Sequence, residues 1–132
     1  NILAFFELPN QKDMGRDENT PIWVQHLAFK VADEDALIAA KAHIEGLGID
    51  VLGPTHHGIF KSIYFFDPNG HRVELAADIG TDEQYAELKR VAMPMLDEWS
   101  ETKKAPQHAA WLHELAREEH AKAKAAEEPD LP

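Results

Sequence analysis

A chain of 132 residues is the size of one domain and can bury a core. Thirteen basic residues against 24 acidic ones give a formal charge of −11, which disfavours nucleic acid and anionic membrane as partners. Cysteine is absent, so disulfides and thiolate chemistry are excluded and any metal must be held by His, Glu or Asp. With no long apolar run and no signal peptide, the default expectation is a cytoplasmic protein.

Ile2 to Leu8 reads as a strand ended by Pro9-Asn10, apolar on both faces except for Glu7. A carboxylate there should be paired, exposed at the strand end, or bound to a cation. Residues 10–22 have the composition of a linker. Trp23 to Val31 then alternates as a half-buried strand, with Trp23, Leu27, Phe29 and Val31 on one face and Val24, His26 and Ala28 on the other. Asp33-Glu-Asp35 supplies an N-cap and an acidic first turn. Ala36, Leu37, Ala40, Ile44 and Leu47 recur at helical spacing up to Gly46 and Gly48, so a helix should cover the Leu27 and Phe29 face.

Ile49 to Leu52 reads as a short strand ended by Gly53-Pro54, followed by a loop with His56, His57 and Gly58. Lys61 to Phe66 is the next strand, with Ser62, Tyr64 and Phe66 on one side. Asp67-Pro-Asn-Gly70 predicts a hairpin turn into His71 to Ala76, where Arg72, Glu74 and Ala76 share a face. The order from 23 to 80 is β-α-β-β-β. Residues 81–132 are helical in character. Thr81-Asp-Glu83 looks like a cap, Tyr85, Leu88, Ala92, Leu96 and Trp99 form a stripe, and Pro94 should kink or split the helix. A second helix is expected from about Gln107 to Ala126. His108, His113 and His120 fit no metal motif and read as surface residues, and this helical extension reads as a packing or dimer element.

His26, Glu74 and Glu7 are oxygen and nitrogen donors that separate strands could bring together, a set suited to Fe, Mn, Ni, Co or Zn. The pattern alone leaves this open, since a strand histidine is often structural and a strand-end glutamate often solvated.

His26-Leu-Ala-Phe-Lys-Val31, the β-α-β-β-β order, and above all Ser62-Ile-Tyr-Phe-Phe-Asp-Pro-Asn-Gly-His-Arg-Val-Glu-Leu75 resemble the vicinal oxygen chelate superfamily. That group holds glyoxalase I, bleomycin and fosfomycin resistance proteins and type I extradiol dioxygenases. The resemblance implies an α+β fold in which residues 23–80 form one βαβββ module. Residues 1–9 would be the last strand of a preceding module, mostly absent from this chain, and 81–132 a helical extension outside the resemblance. Two modules pair edge to edge into a cup, so a homodimer is expected to complete the site if the chain is not a fragment. By the same resemblance His26, Glu74 and Glu7 are metal ligands, Glu74 and Tyr64 catalytic residues, and His57 and Arg72 substrate contacts.

The leading expectation is a glyoxalase I-like lyase or isomerase, whose substrate chelates a divalent metal through vicinal oxygens while a glutamate shuttles the proton α to a carbonyl. Extradiol cleavage of a catechol-type ring comes second. Tyr64 stands ten residues before Glu74, as such dioxygenases have it, while no histidine lies between Leu8 and Gln25 where they keep a catalytic one. A metal-free sequestering protein like the bleomycin resistance proteins is the third reading. Arg72 would hold a carboxylate or thiol-conjugate group, or else form a salt bridge at a strand end.

Overall fold

The structure is a computed structural model that describes residues 3, 4, 6–10 and 17–127. Its elements are β1 (Leu27–Lys30), α1 (Glu34–Gly46), β2 (Leu52–His56), β3 (Phe60–Phe66), β4 (Arg72–Asp78), α2 (Asp82–Thr102) and α3 (Ala110–Glu127). The four strands form one sheet in the order β1-β4-β3-β2, with β1 parallel to β4 and the other neighbours antiparallel. This is the expected βαβββ order. The parallel pair is made possible by α1 and the β2–β3 hairpin, which carry the chain from one side of the sheet to the other before β4 enters between β1 and β3.

Local chemistry explains each boundary. Asp33 caps α1, its Oδ1 accepting from the Ala36 backbone N–H at 2.8 Å. In the β3–β4 turn the Asp67 carboxylate accepts from the backbone of Asn69 and His71, and Gly70 takes the positive φ of 86° that closes it. Thr81 and Gln84 make a reciprocal capping box at the start of α2.

Leu37, Ile63 and Ala77 are fully buried, with Val31, Ala40, Ile44, Val51 and Leu75 packed around them. The core therefore lies between α1 and the face of β3 and β4 that carries odd-numbered side chains. The even-numbered positions Ser62, Tyr64, Phe66, Arg72 and Glu74 point to the other face, as the pairing of Tyr64 with Glu74 and Phe66 with Arg72 requires.

Several expectations are corrected. Residues 3, 4 and 6–8 are irregular and Pro9-Asn10 is a turn, while Ile2 and Phe5 lie outside the described residues. Among the described residues no strand flanks that segment, and an apolar run without a partner has no ladder to join. The strand expected from Trp23 begins only at Leu27, because its partner β4 begins at Arg72 and residues 22–24 form a turn closed by Val24 N–H to Pro21 O. Helix α1 packs over β3 and β4 rather than β1, which leaves Leu27 46% and Phe29 41% exposed.

Gly53-Pro54 falls inside β2 instead of ending a strand. β2 is an edge strand with a bulge between Leu52 and Thr55, where a missing N–H is tolerated. Helix α2 passes through Pro94 without dividing. Its most covered line is Tyr85, Leu88, Val91 and Met95, while Leu96 and Trp99 are exposed. No helix among the described residues is long and apolar enough to cross a membrane.

Candidate metal and substrate site

The site occupies the sheet face opposite α1. Ala28 pairs with Glu74 across the β1–β4 ladder, so His26, two residues before Ala28 and just outside β1, meets Glu74 on that face. His26 Nε2 stands 2.8 Å from Glu74 Oε2. Glu74 is buried, and its second oxygen accepts from the hydroxyl of fully buried Ser62 at 2.5 Å. A carboxylate withdrawn from water is costly unless its oxygens are satisfied. Ser62 and His26 supply those partners, and Ser62 is a contributor that sequence reading placed on the correct face without assigning it a role.

Tyr64 adjoins the pair. Its ring lies 6.0 Å from the His26 ring in an edge-on arrangement, and its hydroxyl is 2.9 Å from His57 Nε2. Burial pushes the Tyr64 phenol above its ordinary value, and the negative charge of Glu74 pushes the same way. Burial pushes the His57 imidazole down, against the pull of the Glu74 charge. The pair is therefore a protonated phenol beside a neutral imidazole near neutral pH. Arg72 completes the row, its guanidinium carbon 4.4 Å from the centre of the Tyr64 ring.

The C-terminal helices join the site through the turn that carries His57. Ile59 is buried, and its carbonyl accepts from the Tyr85 hydroxyl at 2.6 Å and from the backbone N–H groups of Ile79 and Gly80. Gly58, at φ 90°, lies under Leu112 of α3. His57 stacks on Phe60 at 4.8 Å. This support was invisible to sequence reading, which found no chemistry in residues 81–132.

Of the residues expected to form the site, His26, Glu74, Tyr64, His57 and Arg72 come together. Glu7 does not join them: it sits exposed in an irregular stretch, and the described residues contain no group of three or more His, Cys, Asp or Glu side chains able to share an ion. His26 and Glu74 nonetheless fit as two ligands. Donors about 2.1 Å from one ion and at right angles stand roughly 3 Å apart, close to the 2.8 Å observed. An imidazole nitrogen and a carboxylate oxygen suit a borderline divalent cation.

A family model for the glyoxalase/bleomycin resistance protein/dioxygenase superfamily matches residues 2–75. The chain belongs to that superfamily. A chlorohydroquinone/hydroquinone 1,2-dioxygenase of Sphingobium indicum is 36% identical over 110 residues, covering 76% of this chain and 31% of that protein. A putative ring-cleaving dioxygenase, MhqA of Bacillus subtilis, is 33% identical over 91 residues, or 66% of this chain and 29% of that protein. The metallothiol transferase FosB of Bacillus licheniformis is 40% identical over 75 residues, 55% of this chain and 46% of that protein. The chain thus spans about a third of the length of these dioxygenases and under half of the transferase. As a superfamily member it shares its core module with metalloenzymes that act on small molecules by more than one reaction.

Proposed function

We propose that this chain carries the metal-binding and acid–base half of a ring-cleaving dioxygenase acting on dihydroxylated aromatics. The observation that carries the reading is the Tyr64–His57 hydrogen bond beside the His26–Glu74 pair. The isomerase reading asks for Glu7 next to that pair, and Glu7 is not there. The names of the two dioxygenase relatives, which match beyond residue 80 in extent, lend further support.

His26 Nε2 and Glu74 Oε2 would hold the divalent metal. Further ligands would come from a second module or a second copy of the chain seated along β1, whose outer edge is unpaired among the described residues and flanked by exposed Ile22, Trp23, Leu27 and Phe29. When bound, the metal would supply Lewis-acid polarisation of the substrate hydroxyl oxygen that it meets. The chain's own residues do the rest. Ser62 fixes Glu74 by holding its other oxygen. As a substrate hydroxyl ionises, the Tyr64 hydroxyl passes its hydrogen to Nε2 of neutral His57 and takes the substrate proton in exchange, so that Tyr64 stays protonated and donates a hydrogen bond to the substrate oxygen. Both atoms of O2 end in the ring-opened product, so no outside reductant is consumed.

The test is oxygen uptake by the full protein loaded anaerobically with Fe(II) and given catechol or hydroquinone. Uptake matched by ring-opened product is expected. Metal-loaded protein that consumes no oxygen with either diol would overturn the reading, and protein that neither binds nor is stabilised by Fe, Mn, Ni, Co or Zn would favour sequestration. A His26→Ala variant should lose the metal.

A further inference from the structure

A cavity of about 520 Å3 opens beside His26, walled by Pro21, Ile22, Val24, Phe66 and Arg72. Its volume is that of a small-molecule site. Arg72 carries an unusual feature there: its Nε is buried and has no hydrogen-bond partner. A guanidinium has five N–H donors and accepts nothing, so this buried N–H is satisfied by an acceptor brought to it, water or a ligand. Leaving such a donor unsatisfied is costly, and the partner that suits a guanidinium best is a carboxylate taken by two parallel bonds. The Tyr64 ring lies under the guanidinium. Asp17, the carboxylate among the lining residues, is engaged in its own turn, accepting from Asn19 N–H and the Thr20 hydroxyl.

We propose that Arg72 and this cavity form a subsite for a carboxylate carried on the aromatic ring, so that the substrates are dihydroxylated aromatic acids. The proposal rests on the ring-cleaving reading above. Arg72 and Glu74 are two residues apart on one face of β4, a step of about 6.8 Å along a strand. That step is comparable with the span of a benzene ring from a hydroxyl to a carboxylate on its far side. A diol bound to a metal that Glu74 and His26 would hold could then present an acid group on its ring toward Arg72. Ile22, Val24 and Phe66 supply apolar walls for the ring between them.

The experiment is anaerobic calorimetry on the full Fe(II)-loaded protein with catechol, 3,4-dihydroxybenzoate and benzoate. The dihydroxybenzoate should bind at least about tenfold tighter than catechol, the value of one charge-assisted contact. Arg72→Met should abolish that preference. Arg72→Gln, closer in polarity, carries the same expectation if the Met variant does not fold. No preference in the wild type, or a preference that survives either substitution, overturns the proposal. If neither diol binds, the ring-cleaving reading fails by itself. Benzoate binding that is lost in the variants would then still uphold the carboxylate subsite, and absence of benzoate binding would overturn it as well.

Discussion

Leu112 of α3 fills the space that a Cβ on Gly58 would need: the ideal Cβ position lies 2.6 Å from Leu112 Cδ1 and 2.8 Å from Leu112 O. Gly58 also has φ 90°, where a side chain is strained. Its neighbour His57 reaches the Tyr64 hydroxyl, so the clamp between turn and helix bears on the site. Gly58→Ala is expected to destabilise the protein by about 1–3 kcal/mol from backbone strain alone, more if α3 is pushed away. Adding Leu112→Ala should recover only part of the loss, because the carbonyl of residue 112 stays in place. Chemical denaturation of the single and double variants measures both.

Ser62 tests how Glu74 is held. The hydroxyl is fully buried and gives its hydrogen bond to Glu74 Oε1. Ser62→Ala removes that bond without creating a large void, and leaves one oxygen of a buried carboxylate unsatisfied. Partners of this kind behind a ligand are worth roughly 10–100-fold in metal affinity. Metal titration of Ser62→Ala should show a loss in that range. Unchanged affinity would mean that Glu74 needs no support to serve as a ligand.

Tyr64 separates chemistry from binding. Tyr64→Phe keeps the ring under Arg72 and against His26 but removes the hydroxyl that meets His57. Under the dioxygenase reading, metal content should be unchanged and the turnover rate should fall by about 10²–10⁴, the usual contribution of a positioned proton donor. Turnover equal to the wild type would remove Tyr64 from the reaction.

Much of this site was legible because strands alternate with a period of two. Once Val73 and Leu75 were assigned to the helix side, Glu74 and Arg72 had to face the other way, and Asp67 to Gly70 fixed the register that sets Tyr64 opposite Glu74. The side on which His26 lies followed from the same alternation carried one residue back from β1. Glu7 was not legible, since apolar alternation from Ile2 to Leu8 describes what a strand would bury and says nothing of whether a partner strand exists. Gly53-Pro54 read as a terminator because proline usually is one, but an edge strand has an N–H to spare. The tie between α3 and the His57 turn depends on contacts between Gly58 and Leu112, which no local pattern encodes.

His56, at the end of β2, and His57, in the turn after it, should make stability depend on pH. Burial pushes both His56 and His57 below the ordinary histidine value of 6.5, with the Lys61 charge lowering His56 further and Glu119 opposing it. The unfolded chain therefore takes up protons near pH 6.5 that the folded chain still refuses. Unfolding is then favoured as pH falls through and below that value, and the penalty is absent above it. The His120 side chain of α3 is among the groups that lower both residues, so α3 adds to the effect. Thermal unfolding followed from about pH 7.5 down to pH 5 should show the midpoint falling with acidity. A His56→Gln, His57→Gln double variant should flatten that part of the curve, because it removes the two groups whose charging the fold opposes. Carboxylates titrate mainly at lower pH and contribute little in this window. An equally steep fall in the double variant would place the acid sensitivity elsewhere in the molecule.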